Sequence, residues 1–282
     1  MKTLILLFMI SSLSVFAQDP DSSTALFSVA EAERNFSRAS VAIGRVNAFK
    51  ENLADESVVF QPDPIDGQKF YSQRKPSPLL LTWEPEYVDV AASEDFGISH
   101  GPWEMKDYGP KKIPPFWGYY VSVWKKQADG KWKVVVDMGN GVETKPAYEV
   151  KLSYPKGSDK KREFKAVDAK TVESSLMKWE DEFAKLSKNN VEMYMKHLTA
   201  DARIIRMGHF PATSTDSIKA LLGKQTDLTW KPIDGDVATS GDLGYSYGSY
   251  ESKSEKGHYL HIWKKQADQS WKMVIDVQLP KE

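Results

Sequence analysis

The chain has 282 residues, with 38 Lys and Arg against 39 Asp and Glu, and it contains no cysteine. This nearly neutral balance argues against nucleic acid or an anionic membrane as a partner. The lack of cysteine excludes disulfides, thiolate metal sites, a cysteine nucleophile and the acylated cysteine of a bacterial lipoprotein.

The first 17 residues have the features of a secretory signal peptide. Lys2 precedes an apolar run from Leu4 to Ile10, and a small-residue pattern ends at Ala17. The run is shorter than the roughly 20 residues that a membrane span requires. We therefore expect a secreted or periplasmic protein that begins at Gln18 after cleavage and has no membrane partner.

After the leader, the sequence predicts a long helix, a second helix over 47–56, and a strand that begins near Val58. Strand alternation resumes over 81–104 and 120–138, with a turn at 128–130. Between them, residues 105–119 are rich in proline and aromatic residues, and they either cover a pocket as a lid or pack on a second domain. The apolar stripe of the long helix consists of Val29, Ala32, Phe36, Ile43 and Val46.

The second half of the chain repeats this order. Helices are predicted over 190–201 and 214–224, after a long helix in which Glu180, Asp181 and Glu182 are expected on the solvated side. The apolar stripe of that long helix consists of Val172, Leu176, Trp179, Phe183 and Leu186. Residues 228–251 align without a gap with 81–104, and 259–277 align with 120–138.

A repeat of this length predicts two domains, since single domains usually have about 100–150 residues. We place the first domain at 24–150, a linker at 151–166 and the second domain at 167–280. Helices followed by strands predict an α+β fold in which a cone-shaped, curved antiparallel sheet wraps around a long N-terminal helix. Glycines inside the strand patterns, such as Gly97 and Gly244, mark the bends of such a sheet.

The central strands carry a family resemblance. "SGDLGYSYGSYE" with "GHYLHIWKKQADQSWKMVIDV", and "EDFGISHGPWE" with "GYYVSVWKKQADGKWKVVVDM", resemble the SnoaL-like, nuclear transport factor 2-like (ketosteroid isomerase-like) superfamily. The chain is similar to an uncharacterised secreted bacterial type with two such domains in tandem. The resemblance implies a pocket rather than a reaction. The Tyr and protonated Asp that assist the Asp base of ketosteroid isomerases have no matching positions here, so we do not carry that reaction over.

The candidate catalytic residues are Asp137 and Asp276, near the end of the last strand of each copy. Strand alternation places Asp137 on the face opposite Trp132, Val134, Val136 and Met138. In an apolar pocket the pKa of such a carboxyl would rise, which suits a general base or a neutral hydrogen-bond donor. The alternative is a structural Asp that holds a backbone amide or a cation.

The candidate ligand-binding residues are polar and aromatic positions expected at the pocket walls. His100 and its counterpart Tyr247 either line a pocket or lie in the core. Arg206, with Arg203, His209 and Lys224, forms an anion-binding edge or a solvated rim. No metal site or cofactor is expected, because His258 and His261 leave a strand on opposite faces. The complete set of candidates is His100, Tyr247, Trp103, Tyr250, Tyr71 and Arg206.

Two functions remain open at this stage. One is a binding module that takes a small apolar or amphipathic molecule in one or both pockets. The other is a cofactor-independent lyase or isomerase with a pocket Asp as general acid or base. A third hypothesis is that one copy serves only as a scaffold or as a surface for protein interactions. Members of the superfamily commonly dimerise through the outer face of the sheet, which implies that the two copies pair within one monomeric chain.

Overall fold

The computed structural model describes residues 20–188, 190–224 and 227–281, so the signal peptide expected at 1–17 lies outside the described residues. Within the described part of the chain, no helix is long and apolar enough to cross a membrane.

The first unit contains helices and one sheet, which in the described residues has seven strands. Its sheet has the order β2-β1-β7-β6-β5-β3, and β4 also pairs with β5. All pairs are antiparallel except β1 with β7. The elements are α1 (Ala25–Ala42), α2 (Arg45–Asn52), β1 (Leu53–Phe60), β2 (Pro64–Asp66), α3 (Gly67–Ser72), β3 (Leu79–Trp83), β4 (Tyr87–Val90), β5 (Phe96–Asp107), β6 (Phe116–Lys126) and β7 (Trp132–Val142).

The second unit repeats this arrangement with five described strands in the order β8-β12-β11-β10-β9. Here β8 pairs with β12 in parallel, as β1 does with β7. Two curved sheets in tandem, each with a long helix, confirm the fold predicted from the sequence. The elements are α4 (Ala169–Ser187), α5 (Val191–Lys196), β8 (Leu198–Ile205), α6 (Thr215–Leu222), β9 (Thr229–Val237), β10 (Leu243–Glu251), β11 (Lys256–Lys265) and β12 (Trp271–Pro280).

The long helices bury one stripe each against the concave face of their own sheet, because apolar side chains recur at helical spacing. Val29 and Phe36 on α1, and Leu176 and Phe183 on α4, are almost fully buried. The predicted stripes are too long at their C-terminal ends, where Leu186 is 44% exposed. Ile43 is also exposed, since α1 has ended before it.

A β-bulge in the last strand of each unit changes which residues share a face. In β7 the pairing with β6 shifts between Val136 and Val134, so Val134 faces α1 while Val136 lies on the other side of the sheet. The predicted single face that contains both Val134 and Val136 is therefore wrong. Beyond the bulge, Asp137 faces the concave side.

The convex faces of the two sheets pack against each other. The interface cluster contains buried apolar residues of both units, among them Phe96, Ile98, Val121, Met138, Tyr245, Tyr247, Leu260 and Val277. Lys125 Nζ lies 2.6 Å from Asp236 Oδ2, and Lys264 Nζ lies 2.5 Å from Asp89 Oδ2. Lys125 aligns with Lys264 and Asp89 with Asp236, so each contact has a reciprocal one, as in a two-fold symmetric interface.

The segment between the units makes contacts with both. Leu152 is buried in the core of the first unit, and Ser153 bonds the backbone of Glu86. Arg162 forms an ion pair with Asp242 of the second unit. These contacts attach the predicted linker to the body of the protein.

Candidate functional site

A cavity of about 150 Å³ lies inside the first unit, between α1, α2 and the concave face of the sheet. A cavity of about this volume in another protein accommodates one benzene ring. Its aromatic walls are Phe36, Phe49, Phe60, Tyr71, Trp83, Trp103 and Tyr120, and its polar groups include Glu33, Arg45, Gln61, Ser122 and Asp137. The predicted candidates Asp137, Tyr71 and Trp103 thus meet at one cavity.

Glu33 is a fully buried carboxyl at this cavity, and it comes from the apolar stripe of α1. Its oxygens accept hydrogen bonds from Trp83, Ser99 and Trp124, the last with Nε1 at 2.8 Å. Burial raises the pKa of Glu33 to about 7, although these three donors oppose the rise. At neutral pH the group is therefore divided between its neutral and ionised forms.

Asp137 is the second carboxyl of the cavity. Its Oδ2 accepts a hydrogen bond from Ser122 at 2.9 Å, and Ser122 is directly opposite on β6. Burial raises the pKa of Asp137 to about 6, which the bond from Ser122 only partly offsets. The residue is nevertheless only half-buried, because its carboxyl borders the cavity. Such a group can take up or release a proton near neutral pH.

Trp103 covers one wall of the cavity and depends on a glycine behind it. A Cβ at Gly118 would lie 2.4 Å from the indole ring of Trp103 and 1.9 Å from the carbonyl oxygen of Asn140. Only glycine allows this close approach, so β6 positions the indole against the cavity. Two other aromatic residues of the lining, Tyr71 and Phe49, stack with ring centroids 4.4 Å apart.

The mouth of the cavity carries Arg45 and Gln61. Gln61 is exposed and Arg45 is half-buried, whereas Glu33 and Ser122 are fully buried, so Gln61 and Arg45 are closer to solvent than Glu33 and Ser122. Arg45 is the first residue of α2, and Gln61 directly follows β1. The site is therefore acidic at its closed end and cationic at its mouth.

The concave side of the second unit is filled by its own side chains. Asp276 is fully buried and bonded by Arg206 Nη2 at 2.5 Å and by the hydroxyl of Tyr194. His261 Nδ1 lies 2.7 Å from Glu180 Oε1, and its Nε2 lies 3.5 Å from Asp276 Oδ1. The counterpart of the first cavity is thus occupied by a buried network of two acids, Arg, His and Tyr.

Strand pairing shows which positions differ between the two units. Ser122 pairs with Asp137 and His261 pairs with Asp276, so Ser122 and His261 correspond. Val59 pairs with Asp137 and Ile204 with Asp276. Counting from these pairs, Gln61 corresponds to Arg206 and Phe49 to Tyr194. Each of these exchanges places a larger or more polar side chain in the second unit.

The electrostatics of the second unit follow from this network. Burial opposes ionisation of Asp276, but Arg206 and His261 outweigh it and hold the pKa of Asp276 below its usual range. Burial likewise opposes a charge on His261, yet Glu180 and Asp276 raise its pKa to about 9. The expectation that Glu180 is solvated is wrong, since Glu180 is fully buried and also accepts from Trp263.

The remaining candidates lie elsewhere. His100 and Tyr247 are on the convex faces, where His100 stacks on Tyr119 and Tyr247 contacts Phe60. Of the two interpretations of His100, its position is that of a core histidine: its Nδ1 lies 2.8 Å from the carbonyl oxygen of Tyr120, and burial lowers its pKa to about 3.

Tyr250 and Arg206 border two other cavities, both on the second unit. Tyr250 is buried beside Trp230 and donates to Glu255. Arg206 borders a rim cavity of about 200 Å³ together with His209 and Lys224, but its guanidinium forms an ion pair with Asp276. Arg203 is absent from that rim and stacks on Tyr87 of the first unit.

Sequence reasoning missed Glu33, Arg45 and Tyr120 at the cavity. For Glu33 a signal exists: it is four residues after Val29 on the apolar stripe, and Glu180 occupies the same place in the repeat. A buried position for a charged residue that recurs in both copies indicates a shared polar contact. For Arg45 no periodic signal exists, because it follows the turn at Gly44.

Among known proteins, only solved structures match this chain. No protein-family model and no curated protein matches this chain. A ketosteroid isomerase-like protein from Erwinia carotovora atroseptica matches 43% of this chain and 99% of its own, with 14% identity and a TM-score of 0.36. The CaMKII hub of S. rosetta matches 43% of this chain and 98% of its own, with 20% identity and a TM-score of 0.35.

A nuclear transport factor 2-like superfamily protein from Salmonella enterica serovar Typhimurium matches 45% of this chain and 98% of its own, with 15% identity and a TM-score of 0.35. Each of these three structures matches less than half of this chain and almost all of its own length.

Proposed function

We propose that the first unit binds a small amphipathic molecule, about the size of a single ring, in its cavity. The second unit, whose concave side is filled by its own side chains, stabilises the first. The observation that carries this proposal is the contrast between the two concave sides. The first has an aromatic cavity with two carboxyls, and the corresponding space in the second is occupied by Arg206, His261 and Tyr194. A pocket with mostly aromatic walls and few polar groups is the usual form of a small-molecule site.

The test is to fill the first cavity with the residues of the second unit. In the variant F49Y/Q61R/S122H, we expect the cavity to close and ligand binding to be lost. Saturation-transfer NMR with phenol as the probe reports binding in the wild-type protein. The matched control is Tyr194→Phe, which alters the same position in the second unit and should leave the phenol signal unchanged. Equal signals from wild type and the triple variant would contradict the proposal.

A second candidate function is proton transfer to carbon, as in a lyase or isomerase. It is favoured by two carboxyls with raised pKa values at one cavity, Asp137 and Glu33. The buried hydroxyl of Tyr120 makes no hydrogen bond of normal geometry within the described residues and also borders the cavity. Ionised Asp137 would remove a proton next to a carbonyl group, while Tyr120 or neutral Glu33 donates to the carbonyl oxygen.

Hydrogen exchange at carbon distinguishes catalysis from binding. With cyclohexanone in D₂O, an acid–base site should speed the uptake of deuterium beside the carbonyl, as followed by proton NMR. Asp137→Asn should lower this rate about 100-fold or more, because general base catalysis typically contributes that much. Asp276→Asn changes the corresponding residue of the second unit. Under conditions in which this variant is folded, it should exchange hydrogen at the wild-type rate. No acceleration by wild-type protein over buffer would leave binding as the sole function.

We also propose that the protein is exported and that its leader is cleaved before Gln18. The proposal rests on the charged, apolar and small-residue order of the first 17 residues. Mass spectrometry of the intact protein from its own host should give an N-terminus at Gln18. Recovery of the chain with Met1 or Lys2 from the cytoplasm would contradict it.

A further inference from the structure

Building on the proposed binding cavity, we infer that the ligand is a cyclic carboxylate whose acid group is bound by Arg45 at the cavity mouth. The ring then lies between the aromatic walls, and a polar substituent on its far side reaches Asp137 and Ser122. The ligand class is thus a single-ring acid that carries a hydroxyl or carbonyl group opposite its carboxylate.

Arg45 lacks a counterion in the described residues. Its Nε is buried without a hydrogen-bond partner, and no described carboxylate forms an ion pair with the side chain. The arginines of the neighbouring helix differ, since Arg34 and Arg38 both pair with Glu31. A buried guanidinium N–H without an acceptor is costly, and a carboxylate matches the planar fork of arginine. The free donor therefore indicates an anionic group supplied by the ligand.

The position of Arg45 also fits a role that only the open cavity requires. Counting back from the paired positions Phe49 and Tyr194, the residue that corresponds to Arg45 is Asn190. Asn190 bonds the backbone of Met193 and caps α5, so it has a local role and carries no charge. The cation is thus present where the concave side is open and absent where it is filled.

The depth of the lining groups gives the ligand an orientation. Gln61 is exposed and Arg45 is half-buried, whereas Ser122, which donates to Asp137, is fully buried, so Arg45 and Gln61 are nearer to solvent than Ser122. A charged carboxylate is best placed at the mouth, where it keeps part of its hydration and avoids the acidic end. A hydroxyl group at the other end of the ring would donate to Asp137 when that carboxyl is ionised.

Isothermal titration calorimetry at pH 7 with two matched probes tests this inference. The probes are 4-hydroxybenzoate and 4-hydroxybenzyl alcohol, which share the ring and the hydroxyl but differ in the acid group. Wild-type protein should bind the acid at least about tenfold more tightly, as expected for charge-assisted hydrogen bonds to a carboxylate. Arg45→Gln should remove this preference for the acid while it still binds the alcohol. Arg45→Lys should keep only part of the preference. The matched control Arg38→Gln, on the exposed side of α1, should keep the full preference.

The outcomes separate this inference from the function on which it rests. If the alcohol binds as tightly as the acid, or if Arg45→Gln keeps the preference, the carboxylate assignment is wrong while the binding cavity stands. If neither probe binds to wild-type protein or to Arg45→Gln, the proposed binding function fails and the ligand class fails with it. A thermal unfolding curve of Arg45→Gln that matches wild type shows that the variant is folded.

Discussion

Asp137 and Asp276 show how residues at the same place in a repeat acquire different properties. Burial raises the pKa of Asp137, and the hydrogen bond from Ser122, its only donor among the described residues, offsets only part of this rise. Asp276 is buried at least as deeply, yet Arg206 and His261 hold its pKa below the usual range. The first is therefore a carboxyl that exchanges its proton near neutral pH, and the second is a permanent anion of a structural network.

A matched pair of substitutions tests this difference. Asp276→Asn leaves the buried cation of Arg206 without its partner and should lower the free energy of unfolding by about 3–5 kcal/mol. Asp137→Asn removes a carboxyl that is costly to ionise and should change it by less than about 1 kcal/mol. Urea denaturation at pH 7 measures both. Equal losses in the two variants would show that Asp137 is also part of a structural network.

The raised pKa of Glu33 predicts a dependence of stability on pH. The group keeps its proton up to about pH 7 in the folded protein, but an ordinary glutamate loses it near 4.5. Since the folded state binds more protons between these values, this contribution to stability is present below pH 4.5 and is lost as the pH rises through 7. Glu33→Gln removes the contribution, so we expect the variant to gain up to about 3 kcal/mol relative to wild type between pH 4.5 and 8.

The measurement is urea denaturation of Glu33→Gln and wild type across this pH range. The control is Glu51→Gln, which removes an exposed glutamate and should give a curve parallel to wild type. Parallel curves for Glu33→Gln and wild type would show that Glu33 has an ordinary pKa in the folded protein.

At the scale of elements, the long helices are defined by their buried stripes. Helical spacing alone places both Leu176 and Leu186 on the stripe of α4, but the structure buries Leu176 completely and leaves Leu186 in the exposed last turn. Leu176→Ala should therefore cost about 2–5 kcal/mol, and Leu186→Ala should stay within about 0.5 kcal/mol of wild type. Guanidinium denaturation measures the free energy of unfolding of both variants and of the wild-type protein. Similar costs would mean that the end of α4 packs on the core.

Much of the fold was predictable because periodicity and the repeat are local features of the sequence. The helix and strand order and the curved sheets follow from them, whereas the meeting of Asp137, Tyr71 and Trp103 at one cavity is visible only in the structure. The faces were less predictable, since one extra residue in a bulge exchanges the two sides of a strand. For His100 and Tyr247 the sequence left both a pocket wall and the core open for a related reason: alternation groups residues on one face but does not say whether that face is concave or convex.

The difference in filling between the two units was not predictable either. It depends on Arg206 and Tyr194, which come from separate elements and meet at Asp276 only in the folded protein. A single sequence without coordinates gives no distance between such groups. The sequence leaves open that one copy serves only as a scaffold, and our proposal gives this role to the second unit.

At the scale of the whole molecule, the convex faces that would pair two chains are already covered by each other. The interface cluster and the two reciprocal Lys–Asp contacts join the units within one chain. We therefore predict that the protein is a monomer and unfolds in one cooperative transition. Size-exclusion chromatography with light scattering should give the mass of one chain, and calorimetry should give one peak. A stable dimer, or two separate unfolding steps, would contradict the prediction.

The reciprocal interface has an evolutionary consequence. In a homodimer every substitution appears twice, so a change that blocks one cavity also blocks the other. Tandem fusion removes this constraint, and the two halves can specialise independently while their contact surface is retained. A calorimetric titration should accordingly saturate at one equivalent of ligand per polypeptide, with the other half contributing rigidity and no second binding event.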